Sequence, residues 1–181
     1  QHGLSVAFAL AGGVAAVAMI PQRTEANVLG VALGSAFGEL TFLPDGLGVF
    51  LAVVATVVGS LAVIFSVDYM RGERQLGRYY ALVLFFIGAM VGLVLSSNLL
   101  LVFVFWEITA FCSYALISFY NDDPKAVAAG IKALIMTQIG GVGLLGGALL
   151  LYVYQGTYDV PTFLAHANAL PAGVLAVMAF G

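Results

Sequence analysis

Residues 99–114 read LLLVFVFWEITAFCSY, an apolar run that is interrupted by a single carboxylic acid, Glu107. About 20 apolar residues in a helix, rising 1.5 Å each, cross a hydrocarbon core of roughly 30 Å. The rest of the chain has the same character, because 62% of its 181 residues are hydrophobic and 8% are charged. Soluble domains are usually about a quarter charged. The composition therefore predicts a protein whose solvent is the lipid bilayer.

Five stretches have the length and apolarity of membrane-spanning helices. They are residues 4–20, 47–67, 79–96, 98–120 and 127–154, and residues 170–181 begin a sixth span. Residues 21–46 are too short and too interrupted to span, so we expect an outer-side loop or hairpin there. The predicted fold class is an all-α polytopic membrane protein, with residues 1–181 forming one membrane domain. Because there is no initiator Met and the last helix stops at Gly181, we expect an internal fragment of a longer chain.

Lys and Arg are unevenly distributed among the loops. Residues 68–78 carry three arginines and residues 121–126 carry Lys125, whereas the opposite side holds only Arg23 if the spans alternate. Cytoplasmic loops of membrane proteins carry an excess of Lys and Arg. We therefore predict an integral protein of the cell (inner) membrane with the 68–78 and 121–126 loops in the cytoplasm.

Several classes of function find no support in the sequence. The formal net charge is only −3, and no basic patch suits nucleic acid. Cys112 is the only cysteine, which excludes an internal disulfide and a cysteine-based metal cluster. His2 and His166 lack metal-ligand spacing. With no cofactor motif and no nucleophile–base pair, we expect no active site in this chain, and any redox chemistry would belong to partner subunits.

Glu107 is the strongest candidate for function. It lies about nine residues from the start of its predicted helix, hence roughly 13–14 Å deep by the helical rise. An acid at that depth costs about 2.5–3.5 kcal/mol on insertion scales, so it must face protein or water. Burial also favours the neutral form of a carboxyl group. These features predict a proton- or cation-handling site, and the alternative is a carboxylate that only ties two helices together.

Polar side chains near Glu107 extend this candidate site. Tyr114 is seven residues on and shares its helix face, and Thr109 and Ser113 add hydroxyl groups. We predict that these residues, with two more on the next span, form a polar track; the two are Thr137 and Gln138.

Lys132 is the second ionisable group at membrane depth, one to two turns inside the 127–154 span. Its long stem can snorkel to the headgroups, or it can turn inward toward Glu107 and stabilise the charged form of that acid. The sequence leaves both alternatives open. The glycines between Gly140 and Gly147 in the same span predict close helix packing.

An ordered set of motifs resembles a known family. The motifs are Asp68-Tyr69-Met70, Arg78-Tyr79-Tyr80, Asn98-Leu99-Leu100, Phe105-Trp106-Glu107, Cys112-Ser113-Tyr114-Ala115-Leu116-Ile117, Asp123-Pro124-Lys125 and Gly130-Ile131-Lys132-Ala133-Leu134. In this order they resemble the antiporter-like family of proton-conducting membrane subunits. That family includes the distal membrane subunit of complex I and the large subunits of multisubunit Na⁺/H⁺ antiporters and membrane-bound hydrogenases.

The resemblance implies a fold of inverted repeats with broken helices. It places Glu107 on the family's fifth-helix glutamate, which pairs with a seventh-helix lysine that would lie just beyond Gly181. It also implies other membrane subunits of a multisubunit complex as partners, with protons and Na⁺ as the candidate ions. Gln138 and Gly141 stand where the complex I subunit commonly has arginine and aspartate, which favours the antiporter or hydrogenase relatives. The Asn121–Lys125 loop favours complex I.

We therefore expect ion (proton) translocation by an antiporter-like membrane subunit of an oxidoreductase-type or hydrogenase-type complex. One alternative is a subunit of a multisubunit Na⁺/H⁺ antiporter. The alternative of another class is a structural membrane subunit without transport of its own.

Overall fold

The computed structural model describes residues 2–18, 29–32, 39–73, 75–166, 171–173 and 176. These residues form six helices and one antiparallel pair of strands. In chain order they are α1 (His2–Ala18), β1 (Leu29–Ala32), β2 (Glu39–Phe42), α2 (Gly46–Tyr69), α3 (Leu76–Leu95), α4 (Leu99–Ile117), α5 (Pro124–Gln155) and α6 (Val160–His166). Helices α2 to α5 are long and apolar enough to cross a membrane, and α1 is a shorter apolar helix. The predicted fold class, an all-α polytopic membrane protein, is confirmed.

The helices depart from the predicted spans by a few residues at each end. Helix α3 begins at Leu76, three residues before the predicted start of the span at residue 79. Its first turn therefore includes Arg78 from the arginine-containing loop. Helix α4 ends at Ile117, where the backbone N–H of Ser118 bonds to Tyr114 and the chain turns. The predicted partial span at 170–181 lies mostly outside the described residues.

Polar residues between the apolar runs determine where the helices begin. Asp45 accepts a hydrogen bond from the Gly48 backbone N–H at 2.6 Å and so caps α2. Asp123 caps α5, with Pro124 at the first helical position. The first N–H groups of a helix have no partner within the helix, and these side chains supply one.

Consecutive helices pack side by side, in the order α1, α2, α3, α4 and α5. The α2–α3, α3–α4 and α4–α5 connections are short, so each of these helices runs antiparallel to the next one. Small residues allow close approach: a side chain at Gly59 would collide with Ile87, and one at Gly92 would overlap the ring of Phe105. Close backbone approach of this kind is how helices associate in a bilayer, where there is no hydrophobic driving force between them.

A hydrogen-bonded layer closes one end of the bundle, here called the hairpin end. Strands β1 and β2 pair antiparallel, and β2 continues onto the α3–α4 turn, where the Ser97 N–H donates to Thr41 O at 3.0 Å. On its other side this turn meets the α5–α6 connection, since the Leu99 N–H donates to Tyr158 O at 2.9 Å. The turn, residues 96–98, is therefore enclosed between two segments distant in sequence.

The loops predicted to be cytoplasmic meet at the opposite end of the bundle, here called the arginine-loop end. Tyr120 donates a hydrogen bond to Glu73 at 3.3 Å, and the Glu73 carboxylate raises the pKa of the Tyr120 phenol. The guanidinium of Arg78 lies 5.9 Å from the ring centroid of Phe119. The α2–α3 and α4–α5 loops therefore share one end, as alternating spans require. Which side of the membrane this end faces stays a prediction.

Asn98 gives a test of the hairpin end. It is 2% exposed, and its Oδ1 accepts hydrogen bonds from the N–H groups of Leu100 at 2.9 Å and Leu101 at 3.2 Å. We expect Asn98→Ala to destabilise the protein by about 1 kcal/mol, the usual loss of a helix cap. Thermal unfolding of the purified protein in detergent measures this loss. Asn98→Ser keeps a capping oxygen and should recover most of the stability; equal stability of all three proteins would contradict the role of the cap.

Candidate functional site

Glu107 lies in the middle of α4 and faces α5. It is eight residues beyond the first residue of the helix, or about 12 Å along the axis. The side chain is half-buried, and Gln138 Nε2 donates a hydrogen bond to its Oε2 at 2.5 Å. The acid is therefore directed into the protein and held by a neutral amide on the neighbouring helix.

The second carboxyl oxygen of Glu107 has a different environment. Oε1 is shielded from solvent and has no hydrogen-bond partner among the described residues. It packs against the backbone of Gly141, where any side chain would overlap Oε1. A buried oxygen without a partner is unfavourable, and more so when it carries charge. The two oxygens of one carboxyl group are thus unequal, with Oε2 bonded and Oε1 unpaired.

The hydroxyl groups of the predicted polar track bond to their own helices. Thr109 donates to Trp106 O and Ser113 to Thr109 O, both at 2.8 Å. Thr137 donates to Leu134 O at 2.9 Å. Such bonds use each hydroxyl hydrogen locally and leave the oxygen able to accept another bond. Within the described residues, the hydrogen bond to Glu107 comes from Gln138.

Tyr114 lies two turns further along α4 on the face that carries Glu107. It is half-buried, and its ring centroid lies 6.5 Å from that of Phe111. The structure therefore places Tyr114 between Glu107 and the arginine-loop end without joining the two side chains.

Lys132 and Glu107 are not brought together. Lys132 is exposed, six residues before Gln138 and hence about 9 Å nearer the start of α5. The described residues contain no ion pair between Lys132 and Glu107; the salt bridge found there joins Arg71 to Asp68 on the surface. Within the described residues Lys132 is exposed and makes no contact with Glu107, and its role stays a prediction.

Two glycines set the register between α4 and α5. A Cβ at Gly130 would lie 3.0 Å from the Cβ of Ser118, and one at Gly141 would overlap Glu107. Both pairs are eleven residues apart along their helices, which is close to three helical turns. This shared spacing is the signal by which the sequence could have matched Glu107 with Gly141 and Gln138. Hydropathy and residue spacing predict close packing for the glycines and a place in the polar track for Gln138, and the family resemblance marks Gln138 and Gly141 as departures from the complex I pattern. None of these signals pairs them with Glu107.

Two family models match the chain. Residues 96–181 match the membrane model described as NADH:quinone oxidoreductase/Mrp antiporter. Residues 32–80 match the model of the chain 5 N-terminus of NADH-ubiquinone oxidoreductase (complex I). Each ordered motif noted above, from Asp68 to Leu134, lies within one of these models or at its edge.

Curated relatives and solved structures agree with the models. The Na⁺/H⁺ antiporter subunit A1 of Staphylococcus aureus is 38% identical over 126 residues, which are 70% of this chain and 16% of the relative. The Mrp complex from Dietzia sp. superposes with a TM-score of 0.88 and 27% identity over 98% of this chain and 20% of that one. The archaeal membrane-bound sulfane sulfur reductase superposes with a TM-score of 0.83 and 24% identity over 99% of this chain and 38% of that one. The chain spans about a sixth of the length of the curated relatives it matches.

The close approach at Gly141 can be tested with its neighbour as a control. We expect Gly141→Ala to cost about 1–3 kcal/mol of stability, because the methyl group forces the Glu107 carboxyl group or α5 to move. Gly140→Ala should be neutral or slightly stabilising, since a Cβ there meets nothing within 4 Å. Detergent-solubilised thermal unfolding measures both.

A double-mutant cycle attributes that cost to Glu107. Combining Gly141→Ala with Glu107→Ala removes the colliding carboxyl group, so the two losses should be less than additive. Additive losses would show that Gly141 acts through some other contact.

Proposed function

The chain belongs to the family of antiporter-like membrane subunits that NADH:quinone oxidoreductase and the Mrp antiporters share, and we propose that it is part of an ion-translocating subunit in which Glu107 carries a proton. The observation that supports this proposal is the environment of the Glu107 carboxyl group, which is directed into the protein. One of its oxygens is bonded to Gln138, and the other has no partner among the described residues. Because the chain spans 16% of its curated relatives, transport is a property of the larger subunit.

The environment of Glu107 supports protonation during its work. Within the described residues, no cation is paired with it, and Gln138 supplies a single neutral donor. An ionised carboxylate at membrane depth is costly unless it is paired. Uptake of a proton removes that cost, and release restores the charge. A group that exchanges between the two states at moderate cost is what a proton relay requires.

The comparisons favour a multisubunit Na⁺/H⁺ antiporter over an oxidoreductase-type complex. The 38% identical relatives are Na⁺/H⁺ antiporter subunits. Gln138 and Gly141, which depart from the complex I pattern, both contact Glu107. We therefore propose coupled exchange of Na⁺ and H⁺, in an assembly with other membrane subunits.

The remaining polar residues are proposed to serve access from the arginine-loop end. Tyr114, Ser113 and Lys132 lie on the side of Glu107 and Gln138 that leads toward that end. Thr109 and Thr137 keep acceptor oxygens within the same helix pair. Water held by such groups can connect Glu107 to the surface.

Replacement of Glu107 tests the proposed function. We expect Glu107→Gln to abolish Na⁺/H⁺ exchange in everted vesicles, because an amide of the same shape cannot take up and release a proton. Glu73→Gln, which neutralises an acid in the arginine-loop end, should exchange ions normally.

Assembly must be measured on the same membranes. Normal exchange by assembled Glu107→Gln complexes would overturn the proposal and support a structural subunit instead. If Glu107 has only a structural role, Glu107→Gln should lower the amount of assembled complex while each assembled complex transports at the normal rate.

Orientation has a separate test. We propose that the arginine-loop end faces the cytoplasm, as the distribution of Lys and Arg predicts. A cysteine at Asp122 should react with a membrane-impermeant maleimide in everted vesicles, and one at Gly46 should react in right-side-out vesicles. Both positions are exposed, whereas native Cys112 is 0% exposed and should stay unlabelled. The reverse labelling pattern would invert the topology.

A further inference from the structure

We propose that Gln138 is a positioning residue that anchors Oε2 of Glu107 in both protonation states, so that the proton binds and leaves at Oε1. This inference rests on the proposed function of Glu107 and assigns separate roles to its two oxygens. It is drawn from the hydrogen bond between Gln138 and Glu107, the unpaired Oε1 and the absence of a side chain at Gly141.

The amide of Gln138 suits both states of Glu107. In the carboxylate, Oε2 is an anionic acceptor for the Nε2 hydrogen. When Oε1 carries the proton, Oε2 is a carbonyl oxygen and accepts from the same N–H. The hydrogen bond from Gln138 can therefore form in both protonation states. Gln138 holds the acid in place while its charge changes.

A neutral anchor has an advantage over a charged one. Lysine and arginine also donate hydrogen bonds, but they keep a positive charge after Glu107 becomes neutral, and an unpaired charge is costly at this depth. The other titratable groups on the two helices packed against α4 lie nearer the helix ends. They are Arg78, Tyr79 and Tyr80 on α3 and Lys125, Lys132, Tyr152 and Tyr154 on α5. Gln138 is thus the group that meets Glu107 without adding charge.

Gly141 leaves Oε1 available for the proton. Oε1 occupies the space that a side chain at this position would take, and no described group donates to it. A protonated donor, such as a hydronium ion in a water chain, transfers its proton to Oε1, where an O–H bond forms and the charge of Glu107 is neutralised. On release that bond breaks, the proton passes to water or another base, and the carboxylate returns with Oε2 still bonded to Gln138.

Infrared difference spectroscopy of the complete complex tests this assignment. The C=O stretching band of protonated Glu107 is identified by its loss in Glu107→Gln. If Oε2 is the carbonyl oxygen, its hydrogen bond from Gln138 lowers the frequency of this band. We expect Gln138→Met, which is similar in shape but has no donor, to shift the band to higher frequency. Gln138→Asn should give a similar shift, because its amide is one methylene shorter and does not reach Oε2.

Gln155→Met is the matched control. It makes the same substitution in the same helix, at an amide that is seventeen residues from Gln138, and it should leave the band in place. A band that already has the frequency of a free carbonyl and does not move in Gln138→Met would overturn the proposal. That result would place the proton on Oε2, with the amide oxygen of Gln138 as its acceptor.

Transport measurements separate this inference from the proposed function. We expect Gln138→Met to slow exchange roughly tenfold or more, as loss of a positioning contact does, whereas Gln155→Met keeps the wild-type rate. If the band shifts but Glu107→Gln still exchanges ions, the anchor is real and the proposed function fails. If Glu107→Gln is inactive and the band does not shift, the proposed function stands and the anchor fails.

Discussion

The hydrocarbon core of a membrane offers no hydrogen bonds, so polar groups in the membrane-spanning helices must find their partners within the protein. The hydroxyl groups of Thr109, Ser113 and Thr137 donate hydrogen bonds to carbonyl oxygens of their own helices. Backbone groups at the α3–α4 turn form hydrogen bonds with β2 and with the α5–α6 connection. Among the described residues, Glu107 and Gln155 have buried side-chain atoms without a hydrogen-bond partner. Glu107 is the ionisable one of the two, with one oxygen bonded and the other not, which makes it the candidate for proton chemistry.

That site depends on the register between α4 and α5. Gly130 lets α5 approach Ser118, and eleven residues later Gly141 lets it approach Glu107. The same register carries the amide of Gln138 to Oε2. A shift of one residue along α5 would turn Gln138 away by about 100° and separate the pair. Packing of small residues along the whole interface therefore controls the geometry of a single hydrogen bond.

Much of the architecture follows from the composition and the hydropathy pattern, because the bilayer demands long apolar helices. The inward direction of Glu107 was predictable for the same reason, since a lipid-facing carboxylate would be too costly. The enclosure of residues 96–98 is not predictable from hydropathy, because it depends on hydrogen bonds between segments that are far apart in sequence. Hydropathy likewise could not decide the orientation of Lys132. The pairing of Glu107 with Gln138 required a helix register that the glycine spacing contains and that hydropathy does not.

Helix α5 is too long for the bilayer to cover. Its 32 residues measure about 48 Å against a hydrocarbon thickness of roughly 30 Å. Tilt alone would have to approach about 50° to absorb the difference, beyond the usual range of up to about 40°. Part of α5 therefore extends beyond the hydrocarbon core into the headgroup layers. If the excess is shared equally, Lys132 is only about 3 Å inside the hydrocarbon boundary, whereas Gln138 is about 12 Å inside it. Hydrophobic mismatch thus places the two polar residues of one helix in different dielectric environments. The side chain of Lys132 can reach the lipid headgroups, whereas Gln138 can reach only protein.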